Sequence, residues 1–188
     1  VTRQKNGGKG KALADGVRKA DELGLTHVLQ IDSDGQHDAE RVAHFVEVSK
    51  KNPDAIICAY PEYDESAPKH RVNGRTIANA WIHTVTLSKQ IKDGMIGFRI
   101  YPVAPYVKLL NSHAIIDARM GYDIDILVRL FWKNVPVICE SVKVTYPVDG
   151  VSNFRLVRDN ARISLTYARL FLGMIVRLPI LIYRKVKR

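Results

Sequence analysis

The sequence predicts an α/β fold: a mostly parallel sheet with helices on its faces. Short apolar runs of strand length alternate with longer segments whose apolar residues recur at helical spacing. The 188 residues are 46% apolar, enough for one globular core, and carry no internal repeat or low-complexity segment.

Each element has a local reason. Lys9 to Leu23 places Ala12, Leu13, Val17 and Ala20 on one helical face and stops near Gly24. Thr26 to Ile31 reads as a short buried strand. Asp38 to Lys50 has helical spacing in Val42, Phe45 and Val46, with Asp38 or a neighbour suited to cap its start. Asn52-Pro53-Asp54 is a turn, and "AIICAY" is a second apolar strand. A polar loop from Tyr63 to His70 leads to a helix from about Asn73 to Ser88. "GFRIYP" is strand-like and a short helix follows Pro102. "GYDIDILVRLFWKN" reads as a helix and "PVICESVKVTYP" as a long strand with partial alternation. The chain opens almost directly on a helix, which predicts a longer protein whose first strand and helix precede Val1.

Charge divides the chain. The net charge is +10, from 29 Lys and Arg against 19 Asp and Glu. From Arg155 to Arg188 nine cations face one acid, Asp159, so this tail holds +8 and the body only +2. Residues 1–150 therefore read as the α/β domain and 151–188 as a basic helical tail. Cys58 and Cys139 both lie in apolar runs, the pattern of reduced core thiols and not of a disulfide framework. The opening "VTRQKNGGKGK" has no apolar stretch of the signal-peptide kind, so a reducing cytosolic setting is the simple inference.

The polar cluster in "THVLQIDSDGQHDAERV" stands where an apolar run ends. In open α/β sheets ligands bind beyond the carboxyl ends of the strands, which places Asp32, Ser33 and Asp34 at that rim. Two carboxylates two residues apart, with the Gln36 amide nearby, suit a hard cation such as Mg²⁺ or Mn²⁺. Such a metal would bridge the phosphates of a nucleotide. The same four residues, Asp-Ser-Asp-Gly, are also turn formers, so position alone leaves both readings open.

The segment "IDSDGQHDAERV" resembles the D-x-D segment of family 2 glycosyltransferases of the GT-A fold, particularly the dolichyl- and polyprenyl-phosphate sugar synthase branch. "NGGKGKALADGV" is similar to that family's N-x-G-K-G-x-A helix entry, and "DGMIGFRIYP" to its D-x-x-x-G-F-R strand. "GYDIDILVRLFWKNVPVICESVKVTYP" resembles the helix and strand that close its sheet. The four motifs run in order over roughly Asn6 to Pro147. The resemblance implies a nucleoside diphosphate sugar bound with a divalent metal. It implies Asp34 and Gln36 as direct ligands, with Asp32 at the ribose or at a water bound to the metal. Asn6, Gly8, Lys9, Asp32, Ser33 and Asp34 would line the donor.

An inverting sugar transfer to a hydroxyl needs a base, usually a carboxylate, whereas a lipid phosphate is already ionised and needs cations instead. Asp123 is the first candidate base and Asp125 the reserve. Both sit at a helix start, where a carboxylate can equally cap the helix. Arg71, Arg75, Asp93, Gly97 and Arg99 are the candidate acceptor residues. Arg71 matches a phosphate-binding Arg of the lipid-phosphate branch. Pro61 stands where that branch has a second Arg, and Arg75 where a serine is common. These departures count against a polyprenyl-phosphate acceptor and leave two readings open, a lipid phosphate or a hydroxyl-bearing, lipid-linked acceptor.

The tail holds an apolar run from Leu170 to Tyr183, about 14 residues against the roughly 20 that span a bilayer. With Arg162, Arg169, Arg177 and the basic end "YRKVKR", it reads as an interfacial helix pair on an anionic membrane surface. A helix packed on the protein's own core is the other reading. No nucleic-acid motif is present. The predicted function is transfer of a sugar to a membrane-associated acceptor, peripheral on the cytoplasmic face of the membrane. A nucleotidyltransferase of similar fold and a non-catalytic membrane-surface module are the alternatives.

Overall fold

The computed structural model describes residues 2, 6–32, 40–63, 69–144 and 156–187. Six helices and four strands alternate among them: α1 Lys9–Glu22, β1 His27–Gln30, α2 Arg41–Lys51, β2 Ile56–Tyr63, α3 Lys69–Thr86, β3 Arg99–Pro102, α4 Val103–Leu110, α5 Tyr122–Trp132, β4 Val137–Val144 and α6 Leu156–Lys187.

The sheet order is β1-β3-β2-β4. β1, β2 and β4 share one direction, as the alternation of elements predicts. β3 runs against them between β1 and β2, so the sheet is mixed. Nothing in "GFRIYP" signals that reversal, because strand direction depends on the connection and not on the strand's own residues. β2 pairs with β4 along its whole length but with β3 only at Ile57 and Cys58. Pro61, which has no N–H, therefore lies beyond the β3 pairing.

Two layers pack on the sheet, and β2 divides them by its two-residue period. Ile56 and Cys58 join the larger core with Tyr101, Tyr106, Ile124 and Leu127. Ile57 and Ala59 join the smaller core with Phe45, Phe98 and Ile100. Phe45 of α2 and Phe98 stack with ring centroids 4.3 Å apart. Among the described residues β1 forms the edge of the sheet, so the expectation of a buried strand is corrected: Leu29 and Ile31 remain exposed and Gln30 is its buried residue.

Helix ends follow local chemistry. α1 closes with Gly24 at φ +70, Leu25 N–H donating to Ala20 O and Gly24 N–H to Asp21 O. α5 ends likewise on Asn134 at φ +67, with Val135 N–H on Leu130 O.

The tail corrects its expectation most. It is one helix of 32 residues, not a pair, and it contains Pro179. By length and composition alone it is long and apolar enough to cross a membrane, although 28% of the apolar window is buried in the protein. Ile163, Tyr167, Leu170, Met174 and Leu181 form a buried stripe in the larger core, and Tyr167 Oη donates to Ala78 O at 2.9 Å. The outer face keeps Leu165, Leu172, Ile175, Val176, Ile182, Tyr183 and Val186 exposed. That 14-residue estimate counted only the apolar run, whereas the helix also includes the basic residues on either side.

Candidate active site

Three elements meet at the carboxyl end of β1. α1 brings Lys9 in its first turn, the chain leaving β1 brings Asp32, and the first turn of α5 brings Asp123. Lys9 Nζ lies 2.6 Å from Asp32 Oδ1 and 2.8 Å from Asp123 Oδ2. Gln30, buried at the end of β1, donates from Nε2 to Asp123 Oδ1 at 2.7 Å. Burial alone would lower the Lys9 pKa, but the charges of Asp123 and Asp32 outweigh it and hold Lys9 above its usual value.

Sequence placed Asp123 and Asp125 as alternatives, and the structure separates them. Two residues apart on a helix lie about 200° apart around its axis. Asp123 turns to Gln30 and Lys9. Asp125 turns the other way, fully buried. Its Oδ2 accepts from Asp117 N–H at 2.8 Å and its Oδ1 from Arg129 Nε, with Arg169 Nη2 at 3.9 Å.

Close approaches explain two glycine motifs. A Cβ on Gly97 would stand 2.1 Å from Asp32 Oδ2, so any larger residue there would displace the Asp32 carboxylate from its present position. A Cβ on Gly10 would meet the Tyr122 ring at 2.4 Å, and Gly10 N–H donates to Ala118 O. "GGKG" is thus a tight joint between α1 and the entry to α5. Asn6 Oδ1 accepts from Gly8 N–H at 2.9 Å, where Gly8 has φ +87.

The candidate acceptor residues fall into two groups. Asp93 is buried and accepts from Met95 and Ile96 N–H, from Asn79 Nδ2 at 3.2 Å and from Arg75 Nη1 at 3.3 Å. It ties the loop before β3 to α3. Arg99 is fully buried. Its Nη1 donates to Tyr101 Oη at 3.0 Å and to the Asp123 carbonyl at 2.8 Å, so it supports Asp123 from beneath. Arg71 lies in the first turn of α3, and its side chain is outside the described residues. Ser33, Asp34 and Gln36 are outside them as well. Among the described residues no group of three or more His, Cys, Asp or Glu could hold a metal ion.

Sequence reasoning passed over Gln30, although one amide inside the apolar run "VLQI" was a usable signal.

Residues 1–113 match the family model described as glycosyl transferase family 2. The chain belongs to that family. No curated protein matches this family 2 chain. Its fold is similar to glucosyl-3-phosphoglycerate synthase from Mycobacterium tuberculosis. The complex of that enzyme with phosphoglyceric acid aligns at TM-score 0.61 and 14% identity, over 90% of this chain and 56% of that one. The complex with uridine diphosphate aligns at 0.59 and 12%, over 92% and 56%. The complex with Mn²⁺, uridine diphosphate glucose and glycerol 3-phosphate aligns at 0.58 and 11%, over 92% and 56%. The chain thus spans about half the length of these structural relatives, and at this identity the likeness carries the GT-A-like fold alone.

Proposed function

We propose that this chain is the catalytic part of a metal-dependent, inverting glycosyltransferase that moves a sugar from a nucleoside diphosphate sugar to a membrane-associated, lipid-linked acceptor. The observation that carries the reading is the Asp32–Lys9–Asp123 cluster at the sheet rim of a family 2 chain. The structural neighbour's complexes with Mn²⁺, uridine diphosphate glucose and glycerol 3-phosphate support the same classes of ligand here.

Asp34 and Gln36 are the proposed metal ligands, with Asp32 beside them, and carboxylate and amide oxygens are the donor set a hard cation takes. Asp32 fits that role in one testable respect: its side chain is 29% exposed at the rim, and Gly97 leaves its carboxylate room. When bound, Mg²⁺ or Mn²⁺ would neutralise the diphosphate as it leaves. Lys9 adds a fixed positive charge at the same rim.

Asp123 is the proposed base. Both its oxygens already accept one hydrogen bond, and each carboxylate oxygen can accept a second, so an acceptor hydroxyl can join without displacing Gln30 or Lys9. Arg99 positions it through the backbone carbonyl. Arg71 on α3 remains the proposed acceptor-side cation, with Arg75 held by Asp93 as its support and Asn6 and Gly8 toward the donor. The polyprenyl-phosphate branch itself is part of the proposal, supported by Arg71 and opposed by Pro61.

The exposed apolar face of α6 and its basic end support an anionic membrane surface as partner, on the cytosolic side. In this proposal residues 151–188 anchor the domain formed by 1–150.

Product analysis tests the reaction. Incubating the protein with nucleotide sugars, Mn²⁺ and a membrane extract should release nucleoside diphosphate. Release of pyrophosphate would assign nucleotidyl transfer instead.

A further inference from the structure

A second group of cations shares a cavity with Lys9. A cavity of about 210 Å³ is walled by Gly8, Lys9, Arg119, Met120, Arg158, Asp159 and Arg162, where the start of α1, the loop before α5 and the first turns of α6 converge. Arg75, Arg129 and Arg169 each have a carboxylate within 4.0 Å. Among the described residues the guanidinium groups of Arg119, Arg158 and Arg162 have none.

Their placement runs against helix stability. Arg158 and Arg162 are four residues apart on α6, where like charges repel, and both stand near the helix's positive end. Asp159 is the one carboxylate among the residues that line the cavity, against Lys9 and three arginines, so the wall keeps a net positive charge that an anion would offset. The guanidinium fork matches phosphate oxygens in paired hydrogen bonds, and a helix N-terminus adds favourable N–H groups. The volume is below the roughly 300–1,000 Å³ of pockets for drug-sized ligands, so it suits a headgroup and not a whole nucleotide sugar.

We propose that this cavity is a phosphoryl-binding subsite, in which Arg119, Arg158 and Arg162 grip a phosphate carried by a substrate while Lys9 joins it to the Asp32–Asp123 cluster. Assigning that phosphate to a substrate rests on the glycosyltransferase reading; the anion site itself does not. A phosphorylated acceptor and the donor's diphosphate present the same chemistry.

Calorimetric titration of the full chain distinguishes them, with glycerol 3-phosphate as one probe and uridine diphosphate plus Mn²⁺ as the other. The double variant Arg158→Gln/Arg162→Gln should weaken one probe at least about tenfold and leave the other within about twofold. Loss of glycerol 3-phosphate identifies an acceptor subsite, and loss of uridine diphosphate a donor subsite. The variant should melt no lower than wild type, since it removes two cations from the helix's positive end. If both probes bind within about twofold of wild type, or if wild type binds neither, the subsite is wrong. Wild type that binds glycerol 3-phosphate through these arginines but never binds the nucleotide would overturn the transferase reading and leave the anion site standing.

Discussion

The ammonium of Lys9 stands 2.8 Å from the carboxylate of Asp123, joining the first residue of α1 to the first turn of α5. The contact holds together two elements 114 positions apart in sequence, and it places a permanent cation beside the proposed base.

Lys9→Met should therefore leave Asp32 and Asp123 facing each other unshielded. Lys9 and Asp32 are part-exposed whereas Asp123 is buried, so the cost to stability should lie between that of a surface pair and that of a buried one, about 1–3 kcal/mol. Nucleotide-sugar binding should fall more than stability does. Unchanged binding in a folded Lys9→Met protein would remove Lys9 from the site.

Asp123→Asn and Asp125→Asn should fail in opposite ways. Asp123→Asn loses the base and turns one of two accepting oxygens into a donor facing Gln30 or Lys9, so turnover should drop about 10²–10⁴-fold with a stability loss of about 1–2 kcal/mol. Asp125→Asn leaves the part-buried Arg129 guanidinium without its carboxylate, at a cost of about 3–5 kcal/mol. Parallel melting curves and rates distinguish them, and equal rates in both variants would contradict the assignment.

Gly97→Ala should disturb donor binding through Asp32 alone. The added methyl would overlap the carboxylate and force it aside, and because Asp32 is a flexible, part-exposed side chain the protein should lose donor binding with little loss of stability. A variant that binds donor and metal as wild type does would show that Asp32 is not required where it stands.

Stability should fall on the alkaline side. Burial pushes the Cys58 thiol up to about 12 and the Tyr122 hydroxyl up to about 12, and it raises Tyr101, Tyr106 and Tyr167. Lys9 is raised as well, by its two carboxylates against its own burial. Each group binds its proton more tightly when folded, so the stabilisation is full below the unfolded values, 9.0 for Cys58 and 10.0 for the tyrosines, and is lost as pH climbs toward the folded ones. Melting temperature followed from pH 8 to 12 should hold to about 9 and then decline. A flat profile would mean these groups reach solvent in the folded protein.

Much of the fold was legible because burial writes a period into the sequence. Val17 and Ala20 sit on the buried face of α1, and "AIICAY" is buried on both sides of the sheet. The inverted direction of β3 was not legible, since it is decided by how α3 returns the chain. In the site, Asp32 and Asp123 were visible as carboxylates at element ends. Their meeting through Lys9 was not, because nothing local ties α1 to α5. The opposed faces of Asp123 and Asp125 could have been read from helical geometry. Arg162 reads in the sequence as a membrane-facing cation and Arg119 and Arg158 belong to no motif, and only the fold brings the three around one cavity.

The most direct test of the central claim is calorimetric titration of UDP-, GDP-, CMP- and dTDP-linked sugars into the full chain with Mn²⁺ and again with EDTA, in wild type and Asp34→Asn. At least one sugar nucleotide should bind saturably with Mn²⁺ and lose that binding both in EDTA and in the variant. Binding that survives both would contradict a cation held at the acidic rim.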